Sequence, residues 1–64
     1  MVVYVANKEK GGPFDVAIET RENYDSRNLN YTVAMSRARD LCHKNGGGDI
    51  IVWRDGQQSV VHVK

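Results

Sequence analysis

This 64-residue chain reads as an α+β domain, a four-stranded and mainly antiparallel sheet in β-β-α-β-β order with one helix packed on one face. Three observations predict it. Short runs of β-branched and aromatic residues recur toward both ends. One central stretch, from Tyr31 to Lys44, carries a helical period. An Asp55-Gly56 pair then separates the last two runs. A two-residue hairpin turn needs positive φ at both positions, which makes Asp-Gly one of the strongest local hairpin signals.

Val2-Val3-Tyr4-Val5-Ala6 is the first strand. Lys8 to Pro13 is polar and turn-forming, so the chain reverses there. Phe14 to Thr20 then alternates: Phe14, Val16 and Ile18 share one face, and Asp15, Ala17 and Glu19 share the other, as a half-buried strand requires. Arg21 to Asn28 is rich in polar residues and reads as a loop, with Tyr24 placed to pin it to the body.

The helix is expected to begin at Asn28 or Asn30, either of which can serve as N-cap. Its apolar stripe runs through Tyr31, Ala34, Ala38, Leu41 and Cys42, flanked by Val33 and Met35. Small residues at 34 and 38 let a helix approach a sheet closely. Asp40 is spaced to pair with Arg37 and Lys44. Asn45 and Gly46-Gly47-Gly48 supply the stop.

The closing hairpin is apolar on both faces. With a two-residue turn, Ile50, Val52, Val61 and Val63 share one face, while Ile51, Trp53, Val60 and His62 share the other. Either set can cover the helix, and whichever is left over is more apolar than a solvated surface normally is.

Size gives that surplus weight. A chain this short is one domain and buries only about 60% of its unfolded surface, so stability is marginal without a staple or a partner. A lone cysteine forms no internal disulfide and fits a reducing compartment. Neither a long apolar run nor a signal-peptide pattern is seen, so a cytoplasmic protein with no membrane association is expected. Nine Lys and Arg against eight Asp and Glu leave a net charge of +1, too small for a strong field toward polyanions.

The motifs that could carry chemistry are better explained by structure. Gly46-Gly47-Gly48 follows a helix, whereas phosphate cradles precede one, where free N–H groups point at the anion. Cys42 and His43 are adjacent and so point about 100° apart on a helix, and no ligand spacing links them to His62. Nothing sets a nucleophile beside a base. Asp15 and Glu19 form a solvated face. No enzyme, cofactor or metal is expected.

For nucleic acid, the candidate residues are Arg37, Lys44 and Arg54, but the basic residues are dispersed among acids and this reading is disfavoured. The favoured site is an interface of Ile51, Trp53, Val60 and His62, since an aromatic within an exposed apolar patch marks a contact surface.

Tyr4-Val5, Phe14-Asp15-Val16, Ala38-Arg39-Asp40-Leu41-Cys42, Gly47-Gly48 and Arg54-Asp55-Gly56 together resemble a small bacterial β-β-α-β-β domain family of unknown function. The resemblance touches most of the chain. It departs where Tyr4 is followed directly by Val5, where Phe14 replaces a customary Trp, where the segment before the helix is longer, and where Trp53 directly precedes Arg54 in place of a customary glycine. It implies the fold and attaches no activity. The expectation is a non-enzymatic protein-interaction module that forms a homodimer. As a base rate, very small domains of this kind serve as accessory factors or as phage-encoded inhibitors of a host protein.

Overall fold

A computed structural model describes all 64 residues, Met1–Lys64. Its elements are β1 (Val2–Asn7), β2 (Phe14–Ile18), β3 (Tyr24–Leu29), α1 (Tyr31–Lys44), β4 (Gly48–Arg54) and β5 (Gln57–Val63). They form one helix and one mixed sheet in the order β3-β2-β1-β4-β5. Three of the four pairings are antiparallel. The central one, β1 with β4, is parallel, with Val3 beside Ile50 and Val5 beside Val52.

The sheet has five strands rather than four. The segment expected as a loop, Arg21 to Asn28, holds all of β3 but its last residue, Leu29. β3 is a polar edge strand paired to β2 through a register broken between Phe14 and Val16 and again between Val16 and Ala17. Bulges and charged side chains are how sheets blunt an edge, and they also erase the alternation that would betray a strand. The helix axis is therefore reached one strand later than the β-β-α order implied.

Asn30 is the N-cap. Its Oδ1 accepts the Val33 N–H at 2.9 Å and its ψ of 163° lies outside the helix, an arrangement worth about 1 kcal/mol. At the other end the Gly47 N–H donates to Cys42 C=O at 2.8 Å and the Gly46 N–H to His43 C=O at 3.3 Å. This is the paired bonding of a Schellman stop, with Gly46 at φ 79°. Asn45 itself stays at φ −110°, and its side chain donates to Leu41 C=O.

The core lies between α1 and one sheet face. Val3, Val5, Phe14, Val16, Ile50 and Val52 meet Ala34, Met35, Ala38, Leu41 and Cys42. Ala34 and Ala38 are completely buried, so the helix axis sits close over the sheet. Met35 belongs to this core, while Val33 is exposed. Fully burying each Val or Ile contributes about 1.5–3 kcal/mol. Phe14 and Tyr31 close one end edge to face, their centroids 5.2 Å apart.

The hairpin's two faces are now distinguished. Ile50 and Val52 are core, and Val61 and Val63 pack against it. Ile51, Trp53, Val60 and His62 lie on the face that no helix covers.

Candidate functional site

The uncovered face is organised in cross-strand rows. Tyr24 pairs with Ala17, Ala17 with Tyr4, Tyr4 with Ile51 and Ile51 with Val60, so these five side chains line up across the whole sheet. The neighbouring row is Asp15, Ala6, Trp53 and Gln58. Directly opposed residues on one face sit about 4.5–5.5 Å apart, close enough for side-chain contact. Each row thus sets a small residue between larger ones.

That alternation shapes a groove. Ala17 and Ala6 form a low floor, and Tyr4, Tyr24, Ile51 and Trp53 rise around it to enclose about 180 Å³. Tyr24 is 43% exposed, Trp53 39% and Val60 47%, whereas Ala17 beneath them is buried. Exposed aromatic faces around a buried floor present a ready place for an apolar or planar group.

Charge is concentrated on the β2–β3 side. The Arg21 guanidinium lies 5.4 Å from the centroid of the Tyr4 ring, and that of Arg27 lies 4.2 Å from Tyr24. Lys8 completes the rim. Asp15 lies in the same row as Ala6, but its carboxylate is engaged. Oδ1 accepts the Asn28 N–H at 3.2 Å and Oδ2 faces Arg27 at 3.6 Å. Glu19 has left the strand at φ 66°, and its Oε1 accepts the Val2 N–H at 3.3 Å. The two carboxylates are therefore held separately instead of standing side by side. Beyond Ile51, the His62 Nδ1 is 2.6 Å from Asp49 Oδ1.

The sequence-predicted interface residues Ile51, Trp53, Val60 and His62 all fall on this face, with Ile51 and Val60 directly opposed. The alternative set does not gather there. Arg37 spans from α1 to β3, its Nε and Nη2 donating to Asp25 at 2.7 and 2.9 Å, in preference to the intrahelical Asp40. That contact holds the Asp25 carboxyl below the usual carboxylate range, with a further bond from Ser26 Oγ. Arg54 lies 4.1 Å over the Tyr31 ring. Lys44 is in the last helical turn. All three lie on the helix side.

Tyr24, Ala17, Arg21 and Arg27 belong to the site yet were not anticipated there. The signal for Ala17 was available, because its alternation with Val16 placed it on the outer face. For Tyr24 and Arg27 there was none while β3 read as a loop.

Cys42 is fully buried in the core. No group of three or more His, Cys, Asp or Glu side chains is positioned to hold a metal ion. No helix is long and apolar enough to cross a membrane. Comparison with known protein families, curated proteins and solved structures finds no match for this chain. The functional reading accordingly rests on the residues of the open face.

Proposed function

We propose that this chain is a small non-enzymatic protein-interaction module whose docking surface is the open sheet face. One observation carries the reading: a single 14-residue helix covers one side of a five-stranded sheet, leaving Tyr24, Tyr4, Ile51, Val60 and Trp53 aligned on the other. Aromatic side chains supply large contact area at low entropic cost, and the groove over Ala17 and Ala6 would seat one apolar side chain of the partner. The role is that of an accessory or inhibitory factor in a reducing cytoplasm, with self-association as a second use of its exposed strands.

The test compares retention of partner proteins from source-cell extract by the wild type, by Trp53→Ser and by Tyr4→Ser. A partner held by the wild type and released by both variants supports the reading. Equal retention by all three, or retention by none, removes it.

A second reading has its own observation. Tyr4, Tyr24 and Trp53 lie on one sheet face beside Lys8, Arg21 and Arg27, the combination that single-stranded nucleic acid uses for stacking and phosphate contact. This is a different cation set from Arg37, Lys44 and Arg54. Fluorescence of Trp53 on titration with oligonucleotides at low and high salt separates the two. Quenching that weakens steeply with salt favours nucleic acid, because phosphate contacts release counterions.

A further inference from the structure

The two edges of the sheet are unlike. β3 is bulged, carries Asp25 and Arg27, and has Asn28 at φ 59°. β5 has none of these protections. It pairs with β4 in unbroken register over its whole length, Gln57–Val63, and contains no proline, lysine, arginine or acid. Long, regular, uncharged edges pair with another strand unless something prevents it. We infer that β5 is the seat of a second copy of this chain, joined edge to edge in antiparallel register about Val60.

The register follows from the hairpin. Asp55 and Gly56 have φ of 51° and 84°, a two-residue turn of the primed type, so Arg54 and Gln57 form the first hydrogen-bonded pair. Bonded and non-bonded pairs then alternate. Gln58, Val60 and His62 therefore turn their N–H and C=O away from β4 and out of the edge. A two-fold axis through Val60 sets Val60 against its equivalent and Gln58 against the His62 of the other copy. Every outward donor then meets an outward acceptor. No like charges are opposed, and Lys64 of one copy falls opposite Gly56 of the other, next to the anionic Asp55.

The same geometry extends the groove. Gln58, Val60 and His62 point to the open face, so the row that ends at Val60 continues into Val60, Ile51 and Tyr4 of the second copy. An axis perpendicular to the sheet keeps both helices on one side. The result is a ten-stranded sheet with one continuous open face. This deepens the self-association named above and does not depend on the identity of any other partner.

Sedimentation velocity from low to high micromolar concentration tests it, together with amide hydrogen exchange at both extremes. The wild type is expected to move from 7.2 kDa toward twice that mass, with protection appearing at the Gln58, Val60 and His62 amides. Val60→Pro removes one outward donor per copy, two hydrogen bonds per dimer, and should raise the dissociation constant by at least about tenfold. Val60→Lys, which keeps the native backbone bonds and places two charges on the axis, should do the same if the proline variant fails to fold. Trp53→Ser should dimerise like the wild type. A dimer without protection at those three amides, or one lost in Trp53→Ser and kept in Val60→Lys, overturns the edge and leaves self-association through the open face. A wild type that is monomeric at high micromolar concentration overturns both, and leaves the extract experiment to decide the open face alone.

Discussion

Asn7 and Asp55 clamp one another across the fold. Asn7 Nδ2 donates to Asp55 Oδ1 at 2.7 Å, and the Asp55 N–H donates back to Asn7 Oδ1 at 3.0 Å. Asp55 Oδ1 also accepts the Gly11 N–H at 3.0 Å. One carboxylate thus ties the β4–β5 turn to the end of β1 and to the β1–β2 loop. The Gly11 N–H, then Asn7, hold its carboxyl below the usual carboxylate range.

Acid should loosen this clamp. With the folded pKa lowered below the unfolded value of about 3.9, the unfolded chain takes up its proton first as pH falls. Stability from Asp55, and from Asp25 beside Arg37, is complete above that value and is lost on acidification through the folded pKa. Asp55→Asn keeps an acceptor oxygen and tolerates positive φ, but it does not titrate. Its urea midpoint should sit below the wild type at pH 7 and change less between pH 5 and 3. Parallel pH profiles would show that the Asp55 carboxylate is not a determinant of acid stability.

The three glycines after the helix are not equivalent. A Cβ on Gly48, at φ 154°, would lie 2.1 Å from the Met1 carbonyl oxygen, where β4 begins beside β1. That approach is needed because the Asp49 N–H donates to the same carbonyl at 2.9 Å. A Cβ on Gly46 meets open space. Gly46→Ala should cost about 1 kcal/mol, the strain of a left-handed alanine. Gly48→Ala should cost more than about 2 kcal/mol, because main chain must move. Equilibrium urea unfolding of the two variants checks the order, and equal costs would contradict it.

The contrast between Gly46 and Gly48 marks where sequence reasoning stops. A helix stop at this run was legible, because capping is local. The parallel β1–β4 pairing that makes Gly48 irreplaceable is a tertiary contact with no local signature. β3 was hidden for a related reason: Tyr24 to Leu29 pairs through its backbone while its side chains stay mostly polar. The hairpin, the helix stripe and the division of Ile50 from Ile51 onto opposite faces were legible from period and turn chemistry. Which face met the helix was settled only by packing, and the Tyr24 end of the groove had to wait for β3.

That division predicts opposite phenotypes for neighbouring residues. Ile50 is completely buried against the helix, and Ile50→Ala should cost about 2–5 kcal/mol by leaving a cavity. Trp53→Ser, on the partly exposed face, should cost roughly 1 kcal/mol or less while abolishing partner retention. Chemical denaturation and binding measured on both variants test the pair. A Trp53→Ser protein as destabilised as Ile50→Ala would reassign Trp53 to the core and withdraw it from the docking surface.

Cys42 reports on the integrity of that core. It is completely buried, and burial, with the Asp49 carboxylate adding to it, pushes the thiol above its ordinary pKa despite the opposing N-terminal amine. Thiolate is the reactive form, so both access and ionisation work against modification. At pH 8 a thiol reagent should label the native protein at least about a hundredfold more slowly than the unfolded chain, because labelling must await an opening of the helix from the sheet. Ile50→Ala should accelerate it in step with its loss of stability, and Trp53→Ser should accelerate it by no more than about fivefold, in step with its smaller loss. Labelling at the unfolded rate in the wild type would mean that α1 does not stay docked over Val3 and Ile50.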